Sequence, residues 1–475
     1  MNKKRMFFIL TLFIGLLIPL VLISFKIQET KKFPVGKSSP NLIIILADDL
    51  GYADVGFNGC QDIPTPNIDA IANNGVKFTN GYVTYPVCGP SRAGLLTGRY
   101  QDRFGFTTNP TIDPNNIKAG LPLEEEMISE ALQKANYNSA IIGKWHMGTH
   151  SVFHPLKRGW DYFFGFLSGG HNYFPEKLTI NSFSEITWAY GWYSTRIMEN
   201  YNRIDINDYL TDELSDAAVR YIVKQSKEDQ QFMVYLSYNA PHAPLQATQK
   251  YLDRFPNITD KKRKTYAAMV SAMDDGIGRV LNTLRKQNIE ENTIVVFLSD
   301  NGGPTNKNAS NNDPLRGKKS DLYEGGIRVP FAMQWIGQID KGMIYSNPVS
   351  SMDIMATICN LAHVKTKNKL DGVNLIPFLK KEQIGVPHNV LFWRKWEQNA
   401  MAIRKGDLKL VSNQRMENNP PKLYNLSNDI KEVKNIKALN LLESDDLLND
   451  WNQWNMSNKD RCFPRLGNDK WWERN

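Results

Sequence analysis

The chain reads as an α/β protein built on a large, mostly parallel sheet flanked by helices, and three observations predict it. Short, continuously apolar runs recur along the sequence, helix-like stretches alternate with them, and each apolar run stops at polar, chemically capable residues. The run "NLIIILADD" (41–49) is apolar until it meets two aspartates, as a strand buried on both faces would be. "SAIIGKWH" (139–146), "QFMVYLSYNAPH" (231–242) and "NTIVVFLSDNGG" (292–303) share its texture. Helices are expected over "TPNIDAIANNG" (65–75), "LEEEMISEALQKANY" (123–137), "DYLTDELSDAAVRYIVKQ" (208–225) and "KTYAAMVSAMDDGIGRVLNTLRKQ" (264–287). The first opens on Thr-Pro and closes on Asn-Gly, the start and stop signals of a capped helix. Beyond about residue 380, "VLFWRKWEQ", "AMAIRKGDLKLV" and "PKLYNLSND" read as short strands joined by turns, and "ALNLLESDDLLNDWNQW" as a terminal helix. They predict a small antiparallel sheet packed on the main domain.

A chain of 475 residues can bury a large core, and 41% hydrophobic with 22% charged residues is ordinary for a globular protein. The net charge of +8 favours a polyanionic substrate, but no dense Lys/Arg stripe, helix-turn-helix or zinc-finger spacing points to nucleic acid. Lys3, Lys4 and Arg5 precede an apolar run from Met6 to Phe25, the pattern of an export leader with its N-terminus in the cytoplasm. The run lacks an Ala-x-Ala site and is long enough to span a bilayer, so a signal peptide and an uncleaved membrane anchor both fit. The expected organisation is leader 1–25, linker 26–39, catalytic domain 40–380 and a C-terminal α+β subdomain 381–475, with a periplasmic, secreted or membrane-anchored location. Four cysteines, Cys60, Cys88, Cys359 and Cys462, are too few for a disulfide scaffold at this length, and their pairing stays open.

The apolar runs deliver Asp48 and Asp49, Lys144 and His146, His242, and Asp300 and Asn301 to their ends. In open α/β sheets, ligands bind at the carboxyl ends of the strands. Singly, any of these aspartates is a turn or a helix cap. As two pairs they make an all-oxygen set suited to a hard divalent cation, Ca²⁺ or Mg²⁺, rather than zinc.

The stretch "CGPSRAGLLTG" (88–98) resembles the signature of the type I sulfatases, and "ILADDLGYADVG", "GKWHMG", "NAPHAP", "FLSDNGG" and "LRGKKSDLYEGGIRVP" resemble further blocks of that family in its order. The resemblance spans roughly residues 40 to 435. It implies a sulfatase that hydrolyses sulfate esters. In it Cys88, oxidised to formylglycine (3-oxoalanine) by a formylglycine-generating enzyme, is both nucleophile and metal ligand. Calcium, or magnesium, is held by Asp48, Asp49, Cys88, Asp300 and Asn301. Pro90 and Ser91 begin a helix whose N-terminal amides face the sulfate, and Arg92 holds the nucleophile. Asp300 helps remove the proton of the attacking hydroxyl, and Lys144 and His146 contact the hydrate, with His146 as the base that releases sulfate. His242 and Lys319 contact the ester oxygen and protonate the leaving alcohol; Lys319 is preferred to Lys318 because it lies four residues before Tyr323. His171, in "LSGGHNYF", is a substrate-binding candidate, with a packed loop residue as the plain alternative.

For the substrate, "WAYGWYSTR" (188–196) offers aromatic rings that either stack on sugars or pack an insertion. With the export leader and basic balance, it favours a sulfated carbohydrate, and "FGFLSGGHNYF" is similar to bacterial sulfatases acting on algal polysaccharides such as carrageenans. Two other classes remain open: a phosphatase or phosphodiesterase of the same superfamily, and a non-catalytic glycan-binding protein on this scaffold.

Overall fold

Each apolar run predicted as a strand is one, because a parallel strand between two layers of helices must be apolar on both faces. The computed structural model describes residues 39–414 and 419–463. The leader and the linker expected over 1–39 therefore lie outside the described residues, Ser39 excepted. From Ser39 onward the chain packs as one unit. Among the described residues, no helix is long and apolar enough to cross a membrane.

In chain order the strands are β1 (Asn41–Ala47), β2 (Val76–Phe78), β3 (Gly81–Tyr82), β4 (Asn138–Lys144), β5 (Tyr162–Phe166), β6 (Ile197–Glu199), β7 (Asn202–Ile204) and β8 (Phe232–Ser237). There follow β9 (Thr293–Ser299), β10 (Phe331–Gln334), β11 (Met343–Tyr345), β12 (Val349–Ser350), β13 (Val390–Lys395), β14 (Ala400–Lys405), β15 (Leu408–Ser412) and β16 (Lys422–Asn425). Ten of them form one mixed sheet in the order β11-β2-β10-β9-β1-β8-β4-β5-β6-β7. Its centre, β9-β1-β8-β4-β5, is parallel throughout, and antiparallel pairs occur only toward its edges. Along β1, Ile43, Ile45 and Ala47 enter one apolar layer and Leu42, Ile44 and Leu46 the other. The helices Leu210–Gln225 and Lys261–Lys286 cover the first layer; Cys88–Thr97 and Asp353–Leu361 cover the second.

The helix expected over 123–137 is shorter, Ile128–Gln133. The Arg158 guanidinium takes the carbonyl of Glu125 (2.8 Å), which a longer helix would need for itself, and that of Leu121 just before the expected start (3.0 Å). The Glu130 side chain then caps the new start at the Met127 amide (2.8 Å), and Asn136, at φ 59°, ends the segment.

The C-terminal strands form the predicted antiparallel sheet, β13-β14-β15-β16, followed by the helix Leu441–Met456. A buried ionic cluster joins this sheet to the short helix Glu324–Ile327 and to β3, which pairs with β12 in a separate two-stranded sheet. Lys409 on β15 lies between Glu324 (2.8 Å) and Glu432 (2.9 Å), and all three side chains have no solvent exposure or almost none. Tyr82 on β3 donates to Glu324 (2.6 Å), as Arg328 does from the same segment (3.4 Å). Burial works against charge on both glutamates. At Glu324 the cations Lys409, Arg328 and Arg404 outweigh burial and hold the carboxyl at about 2, while burial and the charge of Glu324 push Glu432 up to about 7.

Removing the central cation leaves two buried carboxylates facing each other. Lys409→Met is expected to destabilise the fold by about 3–5 kcal/mol, the cost of breaking a buried pair from one side. The midpoint of urea unfolding measures it, and an unchanged midpoint would show that the cluster contributes nothing.

Candidate active site

Parallel strands point the same way, so their carboxyl ends lie side by side. Ala47 of β1 stands opposite Ser299 of β9, Leu46 opposite Ser237 of β8, and Ser237 opposite Gly143 of β4. The residues that follow these ends meet at one edge of the sheet: Asp48 and Asp49, Asp300 and Asn301, and Lys144. Two of the residues that turn there, Asp49 (φ 67°) and His146 (φ 61°), hold left-handed backbone. Such conformations cost on the order of 1–3 kcal/mol and persist where neighbours enforce them. Here the Asp49 amide donates to Asp300 (3.3 Å), Asn308 donates to the Asp49 carbonyl (3.1 Å), and the His146 amide donates to Leu167 (3.2 Å).

Cys88 reaches this edge from the other side, as the first residue of the helix Cys88–Thr97, which begins two residues before the Pro90 start expected. Every residue of that helix is buried. Its small residues are what allow this: a Cβ on Gly94 would sit 2.2 Å from the Thr84 hydroxyl, and the Gly89 amide donates to Asn109 (2.9 Å). Arg92, four residues on, falls on the same helix face as Cys88. Its guanidinium pairs with Asp300 (2.9 and 2.8 Å) and also donates to Ser237. The hydroxyl of Ser237 donates in turn to the Lys144 carbonyl (2.7 Å).

Lys144 pairs with Asp48 (2.5 Å), and Lys319 with Asp49 (2.6 Å) while donating to the Cys88 sulfur (3.4 Å). Asn301 donates to Asp49 (2.7 Å). His242 places Nε2 3.6 Å from Asp49, and its Nδ1 donates to the Ala243 carbonyl (2.5 Å), which fixes the proton of the neutral ring on Nδ1. Three carboxylates, Asp48, Asp49 and Asp300, are thus matched by three cations, Arg92, Lys144 and Lys319.

Burial dominates the titration of the site. It raises Asp300 to about 6, helped by the charge of Asp48 and opposed by Arg92 and Lys144. Burial would raise Asp49 too, but Lys319 and His242 beside it hold that carboxyl at about 2. It raises the Cys88 thiol above its ordinary value despite Lys144 and Lys319, so the unmodified residue is a neutral thiol. Burial and the nearby cations lower His146 well below its ordinary value, and burial lowers His242 to about 3, so both are neutral. Lys319 stays charged, because Asp49 and its other acidic neighbours overcome desolvation.

Two buried oxygens, Asp48 Oδ1 and Asn301 Oδ1, receive no hydrogen bond from the protein. Donor atoms of Asp48, Cys88 and Asp300 lie within 4.8 Å of one another, as do those of Asp48, Asp49 and His242. Unsatisfied buried oxygens beside converging carboxylates fit a hard divalent cation.

The edge forms the floor of a cavity of about 800 Å³. Cys88, Asp49, His146, His242 and Lys319 face it; Cys88 is only 2% exposed. Lys318 lies on the wall, away from the floor, so the structure brings Lys319 and not its neighbour to the thiol. Arg92 touches Asp300 rather than the sulfur, so it steadies the acidic cluster instead of holding Cys88 directly.

His171 requires a correction. It is 1% exposed, its ring packs on Phe166 (centroids 4.5 Å apart), and its nitrogens face the Asn172 carbonyl (3.0 Å) and the Thr195 hydroxyl (3.4 Å). It does not line the cavity. The residues of that segment that line the cavity are Gly169 and Asn172, and a Cβ on Gly169 would lie 2.5 Å from His146 Nε2. The glycine pair before His171 was the signal for Gly169. Ser237 and Asn109 also escaped the sequence reading, since neither a strand-end serine nor a loop asparagine carries a pattern. All four cysteine thiols are free.

A family model described as Sulfatase matches residues 40–364, and one described as N-sulphoglucosamine sulphohydrolase, C-terminal, matches 318–447. N-acetylgalactosamine-6-sulfatase of Mus musculus is 34% identical over 78% of this chain and 71% of its own length. An uncharacterized sulfatase of Escherichia coli, YdeN, is 32% identical over 75% of this chain and 69% of its own. The crystal structure of Ps i-CgsB in complex with k-i-k-neocarrahexaose superimposes with a TM-score of 0.84 at 38% identity, covering 92% of this chain and 97% of that one.

Two measurements test this geometry. Calcium added to metal-stripped protein should raise its thermal midpoint, since a ligand at about 100 times its Kd stabilises by about 2.7 kcal/mol. Asp48→Asn should abolish the shift; a shift that survives places the cation elsewhere. Gly169→Ala should displace the His146 ring and lower turnover about 100-fold, the cost of roughly 1 Å of misplacement at a reacting group. Unchanged kcat would remove His146 from the chemistry.

Proposed function

The chain belongs to the sulfatase family and is a sulfuric ester hydrolase, and we propose that it removes sulfate from a sulfated polysaccharide, a carrageenan-type galactan, with Cys88 as the nucleophile after oxidation to formylglycine. The observation that carries the reading is a neutral thiol on the floor of a large cavity, set between an oxygen-rich cation site and two neutral histidines. Hydrated formylglycine supplies the hydroxyl that attacks sulfur, and a calcium ion, for which magnesium is the alternative, supplies a Lewis acid for the oxygens involved.

Asp48, Asp49, Asp300, Asn301 and the Cys88 side chain are the residues that hold the cation. Without it, the acidic and basic side chains of the floor balance; a divalent cation makes the floor net positive, which suits an anionic ester. Arg92 keeps Asp300 in place through two contacts, and Asp300, with its raised pKa, is the group suited to take the proton of the attacking hydroxyl. Lys319 and His242 attend the ester oxygen. Of the two, Lys319 carries a proton at neutral pH and is the donor to the leaving alcohol. His146, neutral and with neither ring nitrogen hydrogen-bonded to the protein, is free to act as the base that returns Cys88 to its starting state. Lys144 neutralises Asp48.

The substrate class rests on similarity to Ps i-CgsB and on the size of the cavity, which exceeds what a sulfate group needs. The buried position of Cys88 implies that a formylglycine-generating enzyme acts on the chain before it folds. The basic and apolar start of the sequence supports an exported enzyme, periplasmic, secreted or anchored. The domain division at about residue 380 is part of the same proposal. A phosphatase reading finds less support, since among the described residues the clustered ligands are three carboxylates and Cys88 with a single histidine, His242.

Mass spectrometry of the tryptic fragment Phe78–Arg92 should find an aldehyde at Cys88, and Cys88→Ala should release no sulfate while keeping its unfolding midpoint. An intact thiol in a fully active preparation overturns the nucleophile. Lys319→Met should slow alkyl sulfates at least 10-fold more than activated aryl sulfates; equal losses would remove it as the proton donor.

A further inference from the structure

The walls of the cavity above Cys88 are unlike each other. One is the turn around residues 188–194. Trp192 is 3% exposed and packs with Ile112, Ile180 and Ile186, so the turn is anchored by a small core of its own. Hydrogen bonds from the Gly191 amide to Trp188 (3.2 Å) and from the Tyr193 amide to Tyr190 (2.9 Å) close it. With Trp192 turned inward, Trp188 and Tyr190 face the cavity mouth at 51% and 61% exposure, and Tyr190 holds a left-handed backbone, φ 64°. Leaving such rings in water forgoes the favourable burial of a large apolar surface. A flat ring at a cavity mouth is the complement of the C–H face of a sugar.

The other wall carries Lys307 and Lys318. Among the described residues, neither ammonium has an ion pair or a side-chain hydrogen bond. The floor's own carboxylates are already matched by Arg92, Lys144 and Lys319, so these two lysines have no counter-charge inside the cavity. They are placed where a second anionic group of the substrate would supply it.

We propose that Trp188 and Tyr190, with Lys307 and Lys318, form a subsite for the sugar next to the one that bears the scissile sulfate, stacking its ring and pairing with a second sulfate on it. The inference rests on the carbohydrate reading above and deepens it: Trp188 and Tyr190 set the preference for oligosaccharides, and Lys318 the preference for multiply sulfated ones.

The test compares kcat/KM on three substrates: 4-methylumbelliferyl sulfate, a neocarrahexaose sulfated only at the scissile position, and the same hexasaccharide with sulfates on the flanking sugars. The double variant Trp188→Ala/Tyr190→Ala should lose at least 10-fold more on both hexasaccharides than on the aryl ester, chiefly through KM. Lys318→Met should lose at least 10-fold more on the multiply sulfated hexasaccharide than on the singly sulfated one, and Lys318→Arg should restore the difference. Trp188 and Tyr190 are exposed and Lys318 is half-buried on the cavity wall, outside the apolar core, so folding is retained. Equal losses on all three substrates, or no selective loss, overturn the subsite while a wild type that cleaves the hexasaccharides leaves the carbohydrate reading standing. A wild type that cleaves the aryl ester but neither hexasaccharide overturns both.

Discussion

The buried ion pair between Arg92 and Asp300 is the contact on which the rest of the site depends. It ties the helix that begins at Cys88 to the end of β9, and so brings a residue from one layer of the fold against the edge of another. A guanidinium suits the task because it can hold a carboxylate by two nitrogens and still donate to Ser237. Neither partner has any exposure. Loss of either would strand a buried charge, which is far more costly than the pair is stabilising. The same logic recurs under the C-terminal sheet, where Lys409 stands between Glu324 and Glu432.

The floor of the cavity concentrates three carboxylates within a few ångströms, and an apolar core would tolerate none of them alone. Lys144, Lys319 and Arg92 make the concentration tenable, and two unsatisfied oxygens remain that the protein's own donors do not reach. Strained backbone at Asp49 and His146 belongs to the same arrangement. Stability is given up at the floor so that reactive groups converge there, and it is recovered in apolar layers that run the length of both sheet faces.

Much of this was legible before any coordinates. A run such as "NLIIILADD" has a single reading in an α/β protein, and the run and its terminal aspartates appear as β1 and the acid cluster. Lys319 was preferable to Lys318 on spacing, and the thiol contact agrees. The helix over 123–137 was misjudged in length because its periodicity is genuine, while the guanidinium that takes its Glu125 carbonyl comes from Arg158, some thirty residues away. His171 was misjudged because a histidine after two glycines looks like a site residue, whereas the glycine itself makes the close approach to His146. The aromatic stretch 188–196 was divided between packing and stacking, and the fold assigns one role to Trp192 and the other exposure to Trp188 and Tyr190.

By itself the sequence determined the fold class and which polar residues stand at the strand ends, because apolar periodicity and strand polarity are local properties. Only the tertiary structure decided which lysine meets which aspartate, that Arg92 reaches Asp300 rather than the thiol, that Ser237 and Gly169 lie at the cavity floor, and that two lysines on the cavity wall have no ion pair among the described residues. Those are distances between residues far apart in the sequence, Lys319 and Asp49 among them, and no local pattern encodes them; they follow from how the two layers of helices settle on the sheet.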